Sequence, residues 1–164
     1  FVNILTDVAV LWSLRIRTVL VHGASVQLRA LGVERGVEPT DLEGSGGNDR
    51  ATLDLALTAA NRLTHEILEG LNAADLRAAA TNAVIAHPLG VLKGVDHQLT
   101  GRVERIDVEL LQTLLTNGSV PVVPPLGMDG EGEQTRPVRV WAELSGRHRE
   151  RGDRRRRGDA GSDV

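Results

Sequence analysis

Thr18-Val19-Leu20-Val21-His22-Gly23-Ala24-Ser25-Val26-Gln27 is the stretch that sets the fold class. Its opening run, Thr18 to Val21, is short, apolar and rich in β-branched residues, the composition of a strand buried on both faces of a parallel sheet. His22 to Ser25 then redirects the chain. Gly23 permits a tight turn, and Ser25 offers a hydroxyl as helix N-cap. Val26 to Arg35 reads as a helix that stops at Gly36. Strand, glycine turn and helix in this order form one half of a parallel crossover unit.

The flanks repeat the alternation. Upstream, Asp7 to Leu14 has helical apolar spacing and hands over through Arg15-Ile16-Arg17. Downstream, Pro39 to Asn48 is rich in Gly, Ser and acids and reads as an exposed loop. Asp49 opens a long helix lined by Leu53, Leu55, Ala56, Ala59, Ala60, Leu63, Ile67 and Leu71, ending near Gly70-Leu71-Asn72. At roughly twenty residues it is about 30 Å long. Ala80 to Ala86 reads as the next strand, broken by His87-Pro88-Leu89-Gly90, and Val91 to Arg105 as a hairpin or β-rich excursion. Ile106-Asp107 starts a helix closed by Asn117-Gly118. Val120-Pro121-Val122-Val123 is a second buried-strand run, ended by Pro124-Pro125-Leu126-Gly127, with an acidic turn from Met128 to Glu133.

The pattern predicts an α/β fold, a mostly parallel sheet sandwiched by helices with right-handed connections. It places the segments ending at His22 and at Pro124 side by side in one sheet, their C-terminal ends opening onto one small-molecule cleft.

Composition narrows the function classes. The chain has 164 residues, 41% hydrophobic and 25% charged, the profile of a globular domain with a real core. Aromatic residues make up only 2%, which argues against stacking platforms for single-stranded nucleic acid. With no cysteine, disulfides, thiolate nucleophiles and Cys-ligated zinc are excluded. No apolar run reaches membrane-span length and no signal peptide is visible, so a cytoplasmic location and no membrane partner are expected. The first residue is Phe1 and the single methionine is Met128, which reads as a piece of a longer product or a processed chain.

Charge is divided. Residues 136–164 carry nine arginines against five acids, whereas the rest carries ten basic residues against seventeen acids. The expected organisation is a partial domain over 1–133 and an Arg-rich tail over 134–164, disordered or translated out of frame, because so few aliphatics cannot offset ordering entropy. Arg154-Arg155-Arg156-Arg157 allows a nucleic-acid-binding reading, the less favoured one.

Several segments, taken in order, resemble the amino acid kinase family, and its N-acetylglutamate synthase (amino-acid N-acetyltransferase) branch in particular. They are Leu20 to Gln27; Ala83 to Gly90, followed by Gly94-Val95-Asp96, Gly101-Arg102 and Arg105-Ile106-Asp107; and Asn117 to Gly127. The resemblance covers about residues 3–133 and is close to N-acetylglutamate kinases as well. It implies a carbamate kinase-like sandwich, truncated at both ends. It implies the kinase-like regulatory domain of an enzyme that acetylates L-glutamate from acetyl-CoA in arginine biosynthesis, the fragment itself binding no cofactor and being inactive. Glutamate or N-acetylglutamate as ligand, arginine as effector and a homo-oligomer follow from the same likeness. The alternatives are an N-acetylglutamate kinase using ATP and Mg²⁺, or a non-catalytic arginine-binding module.

The candidate substrate or anion site is His22, Gly23, Ala24 and Ser25. A glycine turn at a strand's C-terminal end aims main-chain N–H groups and a helix N-terminus into one crevice, which favours anions. The plainer alternative is a strand-to-helix turn that only needs small residues. The kinases carry a glycine where Ala24 stands, and the arginine they place before the second helix has no counterpart in Gly46-Gly47-Asn48-Asp49. No catalytic residue is assigned. Lys93, the single lysine, reads as a surface group. His65, His87 and His97 lack metal-ligand spacing, and no metal site is expected. Asp96 and Asp107 read as turn and helix-cap residues.

Overall fold

A computed structural model describes residues 2–40, 49–92, 94–97, 99–129 and 136–140. Lys93, the loop 41–48 and Arg154 to Arg157 lie outside them.

The chain begins with helix α1 (Val2–Ser13), then strand β1 (Leu20–Val21), α2 (Ser25–Arg35) and α3 (Arg50–Ala73). Arg15 closes α1 in the left-handed region, with φ 62°. Its N–H donates to Trp12 O and that of Ile16 to Leu11 O, at 2.9 Å each. Thr18, expected in the strand, accepts instead from Trp12 Nε1 at 2.9 Å, so β1 is shorter than its apolar run. Asp49 caps α3 by accepting from the Thr52 N–H at 2.7 Å. The long helix ends at Ala73, one residue past the expected Gly70-Leu71-Asn72, and Asp75 follows at φ 61°. Gly70 has a packing role: a side chain there would run into Leu5 of α1.

Strands β2 (Ala78–Ala80), β3 (Val84–Pro88), β4 (Val91–Leu92), β5 (Val95–Asp96) and β6 (Thr100–Ile106) come next. After them lie α4 (Val108–Thr116), β7 (Val120–Val123), β8 (Leu126–Asp129) and β9 (Arg136–Val140). Asp107 caps α4 as its position predicted, accepting from Leu110 N–H at 2.9 Å.

The strands form two main sheets. One is parallel, in the order β1-β7-β2, with Leu20 opposite Val122, Val21 opposite Val123 and Ala78 opposite Val120. The expected adjacency of the segments ending at His22 and Pro124 is thus observed. The other is a closed barrel, β3-β6-β9-β8, with the β4–β5 hairpin beside it. The barrel corrects four expectations. The run 80–86 is not one strand: Ala80 ends β2 in the parallel sheet, and Val84 begins β3 in the barrel. His87 and Pro88 do not break the strand but pair within it, opposite Arg102 and Gly101. Part of the expected acidic turn is β8, parallel to β3 and antiparallel to β9. Arg136–Val140, placed in the unstructured tail, is a paired strand. Asp96 sits in β5 rather than in a turn.

The core lies between the parallel sheet and α1, α2 and α3. Leu28, Leu31, Ala59, Ala60, Ile67, Leu71, Val120 and Val122 are all buried in one cluster. Alternation in β7 sends Val120 and Val122 into this cluster, and all four β7 residues are buried, as befits a central parallel strand.

Candidate functional site

The C-terminal edge of the parallel sheet gathers three chain ends. The His22 N–H donates to Val123 O at 3.1 Å, which extends the β1–β7 pairing one residue past the strand. On the other side of β7, the Thr81 N–H donates to Val122 O at 3.0 Å. Beyond these bonds each chain turns away, at Gly23, at Asn82 and at Pro124-Pro125. Neighbouring strands lie about 4.8 Å apart, so with β7 between them the ends of β1 and β2 are about 10 Å apart, the span of a small amino-acid derivative. An open crevice at the carboxyl ends of parallel strands, where a later strand has entered between two earlier ones, is the usual ligand position in such sheets.

Helix α2 starts directly above this edge. Ser25 does not cap it, contrary to expectation. Ala24 occupies the cap position at φ −137° and ψ 23°, and no side chain bonds to the first turn. The first helical bond is Leu28 N–H to Ala24 O at 2.8 Å. The amides of Ser25, Val26 and Gln27 are therefore left without a side-chain cap, and no acid stands in the first turn to answer the helix dipole. This end of α2 is electropositive and carries no built-in counter-charge. Gly23 stands in front of it. Its backbone is outside the left-handed region, and a Cβ there would meet no atom within 4 Å. The glycine is thus not demanded by the turn, and the space a side chain there would take is open.

His22 forms the wall. Its Nε2 lies 3.0 Å from Thr64 Oγ1 on α3, and its Nδ1 lies 3.3 Å from Gly23 O on the exposed side. Burial of part of the ring holds its pKa below the usual histidine value, and the Gly23 carbonyl offsets some of this. Burial thus favours the neutral form of the ring.

His22, Gly23, Ala24 and Ser25 thus stand at one turn, where Ser25 opens α2 without a side-chain cap bond. Thr64, Thr81 and Asn82 were not singled out by sequence. Thr81 and Asn82 fall inside the run read as one strand, and a threonine in mid-helix carries no signal of a partner 42 residues away. Among the described residues, the other histidines stay apart from this edge. His65 is exposed, with Nδ1 2.9 Å from Asn61 O. His87 belongs to the barrel. His97 places a buried Nδ1 with no hydrogen-bond partner near the β4–β5 hairpin. Among the described residues no three His, Asp or Glu side chains gather as a metal site, and no helix is long and apolar enough to cross a membrane.

Comparison with known proteins agrees with this architecture. Residues 1–145 match the model of the amino acid kinase family. An amino-acid acetyltransferase of Pseudomonas putida (strain GB-1) is 37% identical over 142 residues, which is 81% of this chain and 33% of that protein. One from Vibrio cholerae is 34% identical over 143 residues, 81% of this chain and 32% of that protein. N-acetylglutamate synthase from Neisseria gonorrhoeae, complexed with coenzyme A and N-acetyl-glutamate, superimposes with a TM-score of 0.72 at 26% identity, over 85% of this chain and 32% of that one. The chain spans about a third of the length of the curated relatives it matches. With the family model covering most of its length and the parallel sheet, glycine turn and helix in the expected places, this chain belongs to the amino acid kinase family.

Proposed function

We propose that this chain is the kinase-like, ligand-sensing part of an N-acetylglutamate synthase, and that the edge formed by His22, Gly23, Ala24 and Ser25 receives the carboxylate of an amino-acid ligand. The observation that carries the reading is the uncapped N-terminus of α2, set behind a glycine whose open side faces free space. A carboxylate placed there accepts main-chain N–H groups and meets the positive end of the helix dipole. The likeness to amino-acid acetyltransferases supports glutamate, N-acetylglutamate or the effector arginine as the ligand class.

Acetyl transfer from acetyl-CoA to the glutamate amine is the activity assigned to the whole enzyme, in the cytoplasm. No step of that transfer is routed through residues of this chain: none of the described residues is assigned to hold the cofactor's diphosphate or to deprotonate an amine. Self-association forms part of the reading, supported by the exposed apolar side chains Ile4, Val10, Leu14 and Ile16.

Calorimetric titration with N-acetyl-L-glutamate, L-arginine and ATP in separate runs tests the proposal. Binding of either of the first two, lost on replacing Gly23 with a bulky residue, is expected. Binding of ATP alone would overturn it in favour of a kinase.

A further inference from the structure

We propose that the side-chain amide of Asn82 receives the second carboxylate of a dicarboxylic amino-acid ligand, and so sets a preference of the site for glutamate-type compounds over monocarboxylates. The inference deepens the ligand reading above and rests on it: the first carboxylate lies at the turn from His22 to Ser25, and Asn82 stands across β7 from that turn. Asn82 is exposed, yet its main chain is held on both sides. The Thr81 N–H donates to Val122 O at 3.0 Å, one residue past β2. The Ala83 N–H donates to Thr81 Oγ1 at 3.1 Å, and Ala83 O accepts from the Asp107 N–H at 2.8 Å. Thr81 is 8% exposed and Ala83 0%. An exposed residue between two buried and hydrogen-bonded neighbours keeps its place on the sheet edge before any ligand arrives, which lowers the cost of binding.

Asparagine at a chain corner commonly spends its side chain on the local backbone. Here the Thr81 hydroxyl closes the corner instead, and the Asn82 amide bonds to no described residue. Ala80 and Ala83 carry no polar side-chain group. At the end of β2 the side-chain N–H donors are therefore those of Asn82. The ends of β1 and β2 lie about 10 Å apart with β7 between them. A glutamate skeleton with a hydrogen bond of about 2.9 Å at each end reaches across such a gap, whereas an inorganic anion does not. The amide is uncharged, so it offers donors to a carboxylate without the desolvation penalty of a cation.

The test is calorimetric titration of the full chain with N-acetyl-L-glutamate and with N-acetyl-L-norvaline, whose side chain ends in a methyl group where glutamate has its carboxylate. The wild type is expected to favour the first. Asn82→Ala should weaken N-acetyl-L-glutamate about tenfold, the worth of one hydrogen bond to a charged group, and leave N-acetyl-L-norvaline unchanged. Asn82→Asp, which keeps the shape of the side chain, should weaken N-acetyl-L-glutamate further by setting like charges together. It is read alone if the alanine variant does not fold. Equal losses for the two ligands in Asn82→Ala, or no loss for either, would overturn the inference and leave the reading at the His22 turn standing. A wild type that binds neither ligand would overturn that reading and the inference with it.

Discussion

His22 and Val123 are joined across 101 positions of sequence by one main-chain hydrogen bond of 3.1 Å, at the point where β1 has ended and its turn has begun. The bond places the glycine turn on the sheet rather than on a loose connection. From there α2 rises from its uncapped end, and the His22 ring folds back to Thr64 on α3. The candidate site thus inherits the rigidity of β7, whose four residues are all buried.

The packing beneath α2 sets the stability of the site. Leu28 is 1% exposed and holds the first turn of α2 against the core. Its own N–H makes the bond that begins the helix. Leu28→Ala is expected to cost about 2–5 kcal/mol, the range for a buried leucine that leaves a cavity. Val33→Ala, on the same helix but 81% exposed, should change stability by less than about 0.5 kcal/mol. Denaturant unfolding of the two variants checks the contrast. Equal losses would mean that α2 is not seated as described.

Two aspartates hold helix starts. Asp49 accepts from Thr52 N–H at 2.7 Å and Asp107 from Leu110 N–H at 2.9 Å. Replacing either with alanine should cost about 1 kcal/mol, and asparagine should recover most of it. The Thr52 side chain first, and its main-chain N–H second, pull the Asp49 carboxyl below its ordinary value of 3.8. A carboxyl whose folded pKa is depressed gives stability that is present at neutral pH and lost as pH falls through that folded value. Thermal melts in acid should therefore show less acid sensitivity in Asp49→Asn than in the wild type, by a small margin since the group is solvated.

How much of this was legible depended on where each element finds its partners. β7 announced itself, because a central parallel strand must be apolar on both faces, whereas β1, read from its composition as buried on both faces, lies at the edge of the described sheet with Val21 70% exposed. Helix α3 showed its buried side at helical spacing over about five turns, from Leu53 to Leu71. β2 had no such signal: Ala78-Ala79-Ala80 carries no strand propensity, and its place is set by pairing with Val120 to Val122. The barrel was hidden for the same reason. Ile85 pairs with Met128, and Thr100 with Arg139, which are long-range choices that no local pattern encodes. At the site, the glycine turn was visible and its tether was not. Thr64 reads as one more helix residue until the fold brings His22 against it.

The pH response of His22 is opposite to that of a histidine in an ion pair. Burial lowers its folded pKa below the ordinary 6.5, whereas in the unfolded chain the ring titrates normally. As pH falls below 6.5, the unfolded state takes up a proton first, so stability falls until the folded ring is protonated too, and then levels off. His22→Gln should remove this component and flatten the curve as pH falls below about 6.5. Melting temperatures of the two proteins over that interval give the answer. Parallel curves would show that the ring is not desolvated in the folded state.

Gly23→Ala separates structure from function most cleanly. The Gly23 backbone lies outside the left-handed region and an added Cβ meets nothing within 4 Å, so alanine fits without strain. By restricting the unfolded chain, it should raise stability by about 0.4–1 kcal/mol. On the proposed reading the ligand carboxylate enters past the open side of Gly23, and the added methyl group takes up part of that space. Ligand affinity should therefore fall by about tenfold or more while the melting temperature rises, the loss expected when one charge-assisted hydrogen bond is blocked. A variant that gains stability and binds as well as the wild type would mean that the ligand approaches the sheet edge from another side. A variant that loses both would mean that the turn needs its glycine after all, and that the open space in front of α2 is a by-product of backbone shape.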